Sequence, residues 1–312
     1  MIFDPALVSK KGEETFAELR RAARRRNKDP QAVTQRFILE RLLSRLFESR
    51  HSDRFALKGG MIMMFAEDVS PEDARQTGDI DLHIPDFEGS VEDLEAIIRE
   101  VLVDEREDDG IRYDMDGLSV EANRDGKVAG ASVAFAAQVG RVRVKVKCDV
   151  GFDDRPALDV AETSEIPSLL PDRYPPVKVN RVPLSWTLAD KVQAMTRHGG
   201  STTRMRDFYD MYVILTRDKA NPEQAADALA RTYRLFGNDI PDDVDGFAAL
   251  APGYAERNAG LWEKECKHRA FAVATPSLAE VIDTIREGIA PILERAKEID
   301  GSRFAEGARL AS

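Results

Sequence analysis

Two periodicities run along the chain, and the change from one to the other divides it. Residues 12–26 and 30–50 have helical spacing. In the second stretch Ile38, Leu39, Leu42, Leu43, Leu46 and Phe47 recur every three or four positions, with Arg36, Arg41, Arg45 and Arg50 largely elsewhere around the axis. Phe55-Ala56-Leu57 predicts a short strand, and Gly59-Gly60 open a helix over 61–66. Residues 79–84 alternate with period two and stop at Pro85, which predicts a strand. Ser90-Val91-Glu92-Asp93 is a capping-box start for a helix to about Val103. Residues 111–151 read as β, most clearly 141–150, where valines alternate with charged side chains. The stretch 165–184 holds five prolines and predicts a linker. From Ser185 onward the spacing is helical, over 185–198, 203–217, 222–236, 246–258 and 276–298. The pattern predicts an α/β (α+β) domain over 1–165, including the N-terminal helices 12–50, and a helical domain over 166–312.

Composition narrows the class. The 312 residues are 43% hydrophobic, enough for a real core, and no run approaches the roughly 18 apolar residues of a membrane span. Residues 1–5 lack a basic segment followed by an apolar one, so no signal peptide is apparent. Two cysteines, Cys148 and Cys266, exclude a disulfide scaffold and fit a reducing compartment. A soluble cytoplasmic protein is predicted.

The net charge of −11 speaks against a nucleic-acid binder until its distribution is considered. Residues 1–60 carry 14 basic against 8 acidic side chains, residues 61–125 carry 5 against 21, and residues 172–206 carry 7 against 2. Potentials act locally, so a basic cleft is compatible with an acidic total. The run Arg20-Arg21-Ala22-Ala23-Arg24-Arg25-Arg26 is, taken alone, an ordinary solvated helix face.

Asp79 and Asp81 are the sharpest chemical feature. On a strand, residues two apart project from one face, so the two carboxylates stand side by side while Ile80 and Leu82 point into the core. Close like charges are unfavourable unless a cation separates them or one takes a proton. Hard oxygen ligands of this kind suit Mg²⁺, which takes one or two carboxylates plus substrate phosphates. An exposed acidic strand edge is the plainer alternative, although Asp is disfavoured in strands. Asp149 shares a strand face with Arg141, Arg143, Lys145 and Lys147; it becomes a third carboxylate if that strand lies beside 79–81. Gly59-Gly60 allow close backbone approach to an anion, but taken alone a glycine pair is a weak signal and a helix-start turn is the commoner explanation. Lys191 beside Asp190, and Asp207 beside Arg206, pass as surface ion pairs when taken singly. The apolar stripe Phe208, Met211, Tyr212 and Leu215 reads as core. No P-loop, GxGxxG, GxSxG or zinc-type histidine spacing is present.

Taken in order, Leu57-Lys58-Gly59-Gly60, Arg75-Gln76-Thr77-Gly78-Asp79-Ile80-Asp81-Leu82, Leu188-Ala189-Asp190-Lys191 and Arg206-Asp207-Phe208-Tyr209-Asp210 resemble the AbiEii-type nucleotidyltransferases. These are toxin components of toxin–antitoxin systems within the DNA polymerase β-like nucleotidyltransferase superfamily. The resemblance implies a mixed-sheet nucleotidyltransferase domain and a helical domain completing the active-site cleft. It implies Asp79 and Asp81 as metal ligands for Mg²⁺ or Mn²⁺, with Asp149 the candidate third carboxylate. Lys58, Gly59, Gly60, Arg75, Thr77 and Lys191 then fall to nucleotide binding, and Asp79, Asp81, Lys191 and Asp207 to catalysis. Gly60 stands where the superfamily usually has serine. The implied reaction moves a nucleoside monophosphate from a nucleoside triphosphate to a tRNA acceptor end, releasing pyrophosphate. The segments 20–28, 36–54 and 141–147 are then expected to track the RNA backbone, and a cognate antitoxin is an implied partner. A small-molecule or protein hydroxyl as acceptor, and a catalytically silent nucleotide- or partner-binding module, are the alternatives.

Overall fold

The computed structural model describes residues 8–69, 77–85, 87–103, 108–123, 129–152, 161–269 and 276–310. The chain divides into two compact units, and it crosses between them three times: residues 1–62 and 70–182 form the first, residues 63–69 and 183–312 the second.

The first unit is built on a seven-stranded mixed sheet. Its strands are β1 (Ala56–Lys58), β2 (Asp79–His83), β3 (Ile111–Ala122), β4 (Gly130–Val139), β5 (Val142–Gly151), β6 (Glu162–Ile166) and β7 (Val177–Arg181), in the order β3-β4-β5-β2-β1-β7-β6. Strands β2 and β5 run parallel, as do β1 and β7; the other neighbours are antiparallel. Helices α1 (Lys10–Arg25), α2 (Pro30–Glu48) and α4 (Val91–Val103) belong to this unit. Leu42, Leu43 and Leu46 of α2 and Ile98 and Val101 of α4 meet Ile80, Leu82, Val133, Phe135 and Cys148 of the sheet. The strict in–out burial along β5 follows from this one-sided cover: Val144, Val146, Cys148 and Val150 are buried while Lys145, Lys147 and Asp149 are exposed.

Two sequence expectations change here. The proline-rich stretch 165–184 is not a linker. Its ends close β6 and form β7, and β7 pairs with β1 through Leu57 opposite Arg181. The basic side chains of 36–54 do not line a surface as a group. Helix α2 is covered on nearly all sides, and Arg41 is 1% exposed. Its guanidinium lies 4.7 Å from the Tyr174 ring centroid and 3.7 Å from Glu40, while Arg45 binds Asp109 at 2.9 Å. Glu40 in turn accepts hydrogen bonds from Ser168 Oγ and Leu169 N, both at 2.9 Å, fastening α2 to the segment before β7. Burial pushes the Glu40 carboxyl above its usual range despite those donors.

The second unit is helical: α3 (Met63–Glu67), α5 (Leu184–His198), α6 (Met205–Thr216), α7 (Pro222–Phe236), α8 (Tyr254–Arg269) and α9 (Leu278–Leu310). Local signals set several of its ends. Asn221 caps α7 ahead of Pro222, and Ser277 and Glu280 form a reciprocal capping box at α9. The helix expected over 246–258 instead begins at Tyr254, after Pro252-Gly253; residues 244–250 make two short 3₁₀ turns. Short α3 follows the glycine pair directly and is held by Tyr209, whose hydroxyl donates to Glu67 Oε1 at 2.6 Å. Among the described residues no helix is long and apolar enough to cross a membrane.

Candidate active site

In the sheet unit, strand pairing assembles the carboxylates. Asp79 and Asp81 share the face of β2 opposite buried Ile80 and Leu82. Parallel pairing with β5 sets Asp149 directly beside Asp81 and Lys147 beside Asp79. Lys58, the last residue of β1, is the partner of Asp81 on the other side. The neighbouring strand that the Asp149 reading required is therefore present. Asp149 Oδ1 is engaged by Ser132 Oγ at 2.7 Å. Among the described residues, no group of three or more His, Cys, Asp or Glu side chains is arranged to hold a metal ion. The carboxylate against the glycine turn is that of Asp81, with Asp79 two residues before it on the same strand face.

The glycine pair begins a 3₁₀ turn over Gly59–Ile62, which runs into α3, so the helix expected over 61–66 starts as 3₁₀ and turns α at Met63. Gly59 has φ +68°, and a Cβ built on it would come within 1.9 Å of Asp81 Oδ2. The Gly60 amide points at the same oxygen across a long 3.4 Å contact. Backbone and carboxylate are thus packed so closely that only glycine fits. A Gly59→Ala chain is expected to lose about 1–2 kcal/mol to the left-handed backbone alone. The added methyl also displaces Asp81, so transfer activity should fall at least about tenfold, checked by thermal melting beside a label-transfer assay.

Thr77 Oγ1 donates to the carbonyl of Asp79 at 3.2 Å, steadying the entry to β2. Arg75 lies outside the described residues. Cys148, between the carboxylates on the opposite face, is buried; burial drives its thiol upward, and the charges of Asp81, Asp149 and Asp79 add to the shift. It is an inert core thiol, as its position in the alternation predicts.

In the helical unit, Lys191 of α5 reaches two carboxylates of α6. Its Nζ is 2.9 Å from Asp207 Oδ1 and 2.7 Å from Asp210 Oδ2, and Asp210 is completely buried. Arg204 Nε also binds Asp207, at 2.7 Å. A shallow pocket beside this cluster is lined by Lys191, His198, Thr202, Arg204, Asp207 and Phe208. Phe208 and Met211 are core, as their helical spacing implies. Asp210 is a residue the sequence reading leaves out of the site. The signal was its three-residue offset from Asp207, which puts both on one helix face.

Burial raises the Asp207 carboxyl, but the Lys191 ammonium and then Arg204 outweigh it and hold it below the ordinary 3.8. A depressed folded-state value adds stability that is complete above the unfolded value and disappears as pH falls through the folded one. Asp207→Asn should therefore flatten the loss of stability below about pH 4 while changing its slope little above pH 5, as read from urea midpoints across pH.

The family described as nucleotidyl transferase AbiEii toxin, type IV toxin–antitoxin system, matches residues 41–284. Among solved structures, the chain resembles MenT4, a nucleotidyltransferase toxin from Mycobacterium tuberculosis H37Rv, with a TM-score of 0.56 and 16% identity over 89% of each chain. JHP933 from Helicobacter pylori aligns with a TM-score of 0.47 and 12% identity, over 91% of this chain and 99% of that one. No curated protein matches the chain significantly. The chain belongs to the AbiEii family of nucleotidyltransferase toxins of type IV toxin–antitoxin systems.

Proposed function

We propose that the enzyme transfers a nucleoside monophosphate from a nucleoside triphosphate to a hydroxyl at the acceptor end of tRNA. The observation that carries this reading is the packing of the Gly59-Gly60 turn against Asp81, with Asp79 on the same strand face. The two carboxylates suit Mg²⁺ or Mn²⁺, with substrate phosphates completing the coordination. When bound, the divalent cation supplies positive charge against the triphosphate. Asp79 and Asp81 would hold it, and Asp149, paired with Asp81 one strand over, would stand as a further carboxylate beside them. Lys58, Thr77 and the Gly59-Gly60 backbone, together with Arg75, bind the nucleotide. Lys191 is the phosphate-binding cation of the helical unit, its position fixed by Asp207 and Asp210. The acceptor oxygen attacks the α-phosphorus in line, the bond from that phosphorus to the bridging oxygen breaks, pyrophosphate leaves and the hydroxyl proton passes to solvent. An antitoxin is the partner that family membership implies.

Support for an RNA acceptor comes from exposed Arg20, Arg21, Arg24 and Arg25 on α1, and from Lys145 and Lys147 on β5. The test is label transfer with each α-labelled nucleoside triphosphate, Mg²⁺ and total tRNA. Label on tRNA from one triphosphate supports the reading and names the nucleotide. Label absent from RNA, with Mg²⁺-dependent nucleotide binding intact, overturns it in favour of a small-molecule or protein acceptor.

A further inference from the structure

The face of the sheet that bears the carboxylates continues away from them along β5. Stepping back from Asp149, the outward positions are Lys147, Lys145 and Arg143. Arg143 is committed to Asp114, as Arg45 is to Asp109 and Arg173 to Glu18. Lys145 and Lys147 are exposed, and neither forms an ion pair with a described residue, although Asp79 stands directly across from Lys147. Beside them on β4 the partners of Asp149, Lys147 and Lys145 are Ser132, Ala134 and Ala136. Ser132 and Ala134 are part-exposed and short, which leaves the sheet low next to Lys147, whereas Ala136, beside Lys145, is buried. One strand further out, β3 carries exposed Glu121 opposite Ser132, and at its other end exposed Arg112 opposite Gln138. An anionic chain lying on this face beside Asp149 is drawn to Lys147 and Lys145 and repelled from Glu121.

Two residues apart on a strand are about 6.6 Å apart along it. That is on the order of the step between successive phosphates of an extended single strand. We propose that Lys145 and Lys147 hold consecutive phosphates of a single-stranded RNA acceptor just behind its reacting end. The low strip Ser132 and Ala134 then accommodates its sugar–phosphate chain, and the end is delivered to Asp79 and Asp81. This rests on the RNA-acceptor reading above; what it adds is the path of the RNA and the residues that set it. Lys145 and Lys147 are positioning residues.

The experiment uses the full chain as wild type, as Lys145→Gln/Lys147→Gln, and as Lys145→Arg/Lys147→Arg. An RNA oligonucleotide with a single-stranded 3′ end is the acceptor, and the nucleoside triphosphate that wild type uses is the donor. The glutamine pair should raise the KM for RNA at least about tenfold, with the KM for nucleotide and kcat within about twofold of wild type; the arginine pair should restore it. The salt slope of RNA binding should shrink by about 1.4 in the glutamine pair, the amount two single-strand phosphate contacts contribute. An unchanged RNA KM and slope, with wild type still labelling RNA, overturns the path and leaves the RNA-acceptor reading standing. A rise in nucleotide KM instead assigns the lysines to the triphosphate and also overturns it. Wild type that labels no RNA refutes the underlying reading, and this inference with it.

Discussion

Asp81→Asn is expected to lower kcat/KM for nucleotidyl transfer at least about a thousandfold, or about 4 kcal/mol of transition-state stabilisation. Asparagine keeps the size and one oxygen of aspartate, so the glycine turn packed against this side chain is still filled and folding should be intact. What is lost is a negative charge beside Asp79, and with it the reason for a divalent cation to bind there. Asp79→Asn should produce a loss of the same order, since both carboxylates project from one face of β2. Asp149→Asn should cost less, because the Ser132 hydroxyl that engages it is satisfied by an amide oxygen as well. The check is label transfer at saturating Mg²⁺, with thermal midpoints measured beside it. Wild-type activity in Asp81→Asn would remove the aspartate pair from the chemistry, whatever the fold suggests.

Much of the sheet unit is legible in the residues because its signals are local. Period-two alternation over β5 gives its buried valines and its outward Asp149, and the short Asp79-Ile80-Asp81 block fixes both strand direction and face. Strands β6 and β7 are not legible in this way. They are five residues each, prolines punctuate the stretch between and beside them, and pairing with β1 is set by a partner more than a hundred residues distant. The crossing of the chain into the helical unit at Met63 is hidden for the same reason, since what binds α3 there is Tyr209, far along the sequence. Arg41 misleads because helical spacing describes one apolar stripe, whereas α2 is enclosed, and its guanidinium is packed inside against Ser44, Glu40 and the Tyr174 ring. Within the candidate site, the lysine and first carboxylate of the helical unit are found by motif, but the deeper carboxylate is not. The three-residue offset puts Asp207 and Asp210 on one helix face, but only helix packing decides that Asp210 is the one enclosed.

Lys191 separates structure from chemistry when it is changed together with Asp210. Lys191→Met alone should lower transfer at least about a hundredfold, by removing a positive charge set against phosphate. It should also destabilise the chain by about 3 kcal/mol, because a fully buried carboxylate loses its nearest cation. Asp207 is less affected, since Arg204 still binds it. In the double variant Lys191→Met/Asp210→Val, two apolar side chains closer in volume to the originals replace the inner ion pair. Stability should return to near the wild-type value, as replacement of a buried ion pair by well-packed apolar groups often does. Activity should not return, because packing cannot supply a charge. Urea unfolding gives the first quantity and label transfer the second, on the same preparations. Recovery of both together would mean that Lys191 serves only to hold α5 against α6, and the phosphate-binding role would have to pass to another cation.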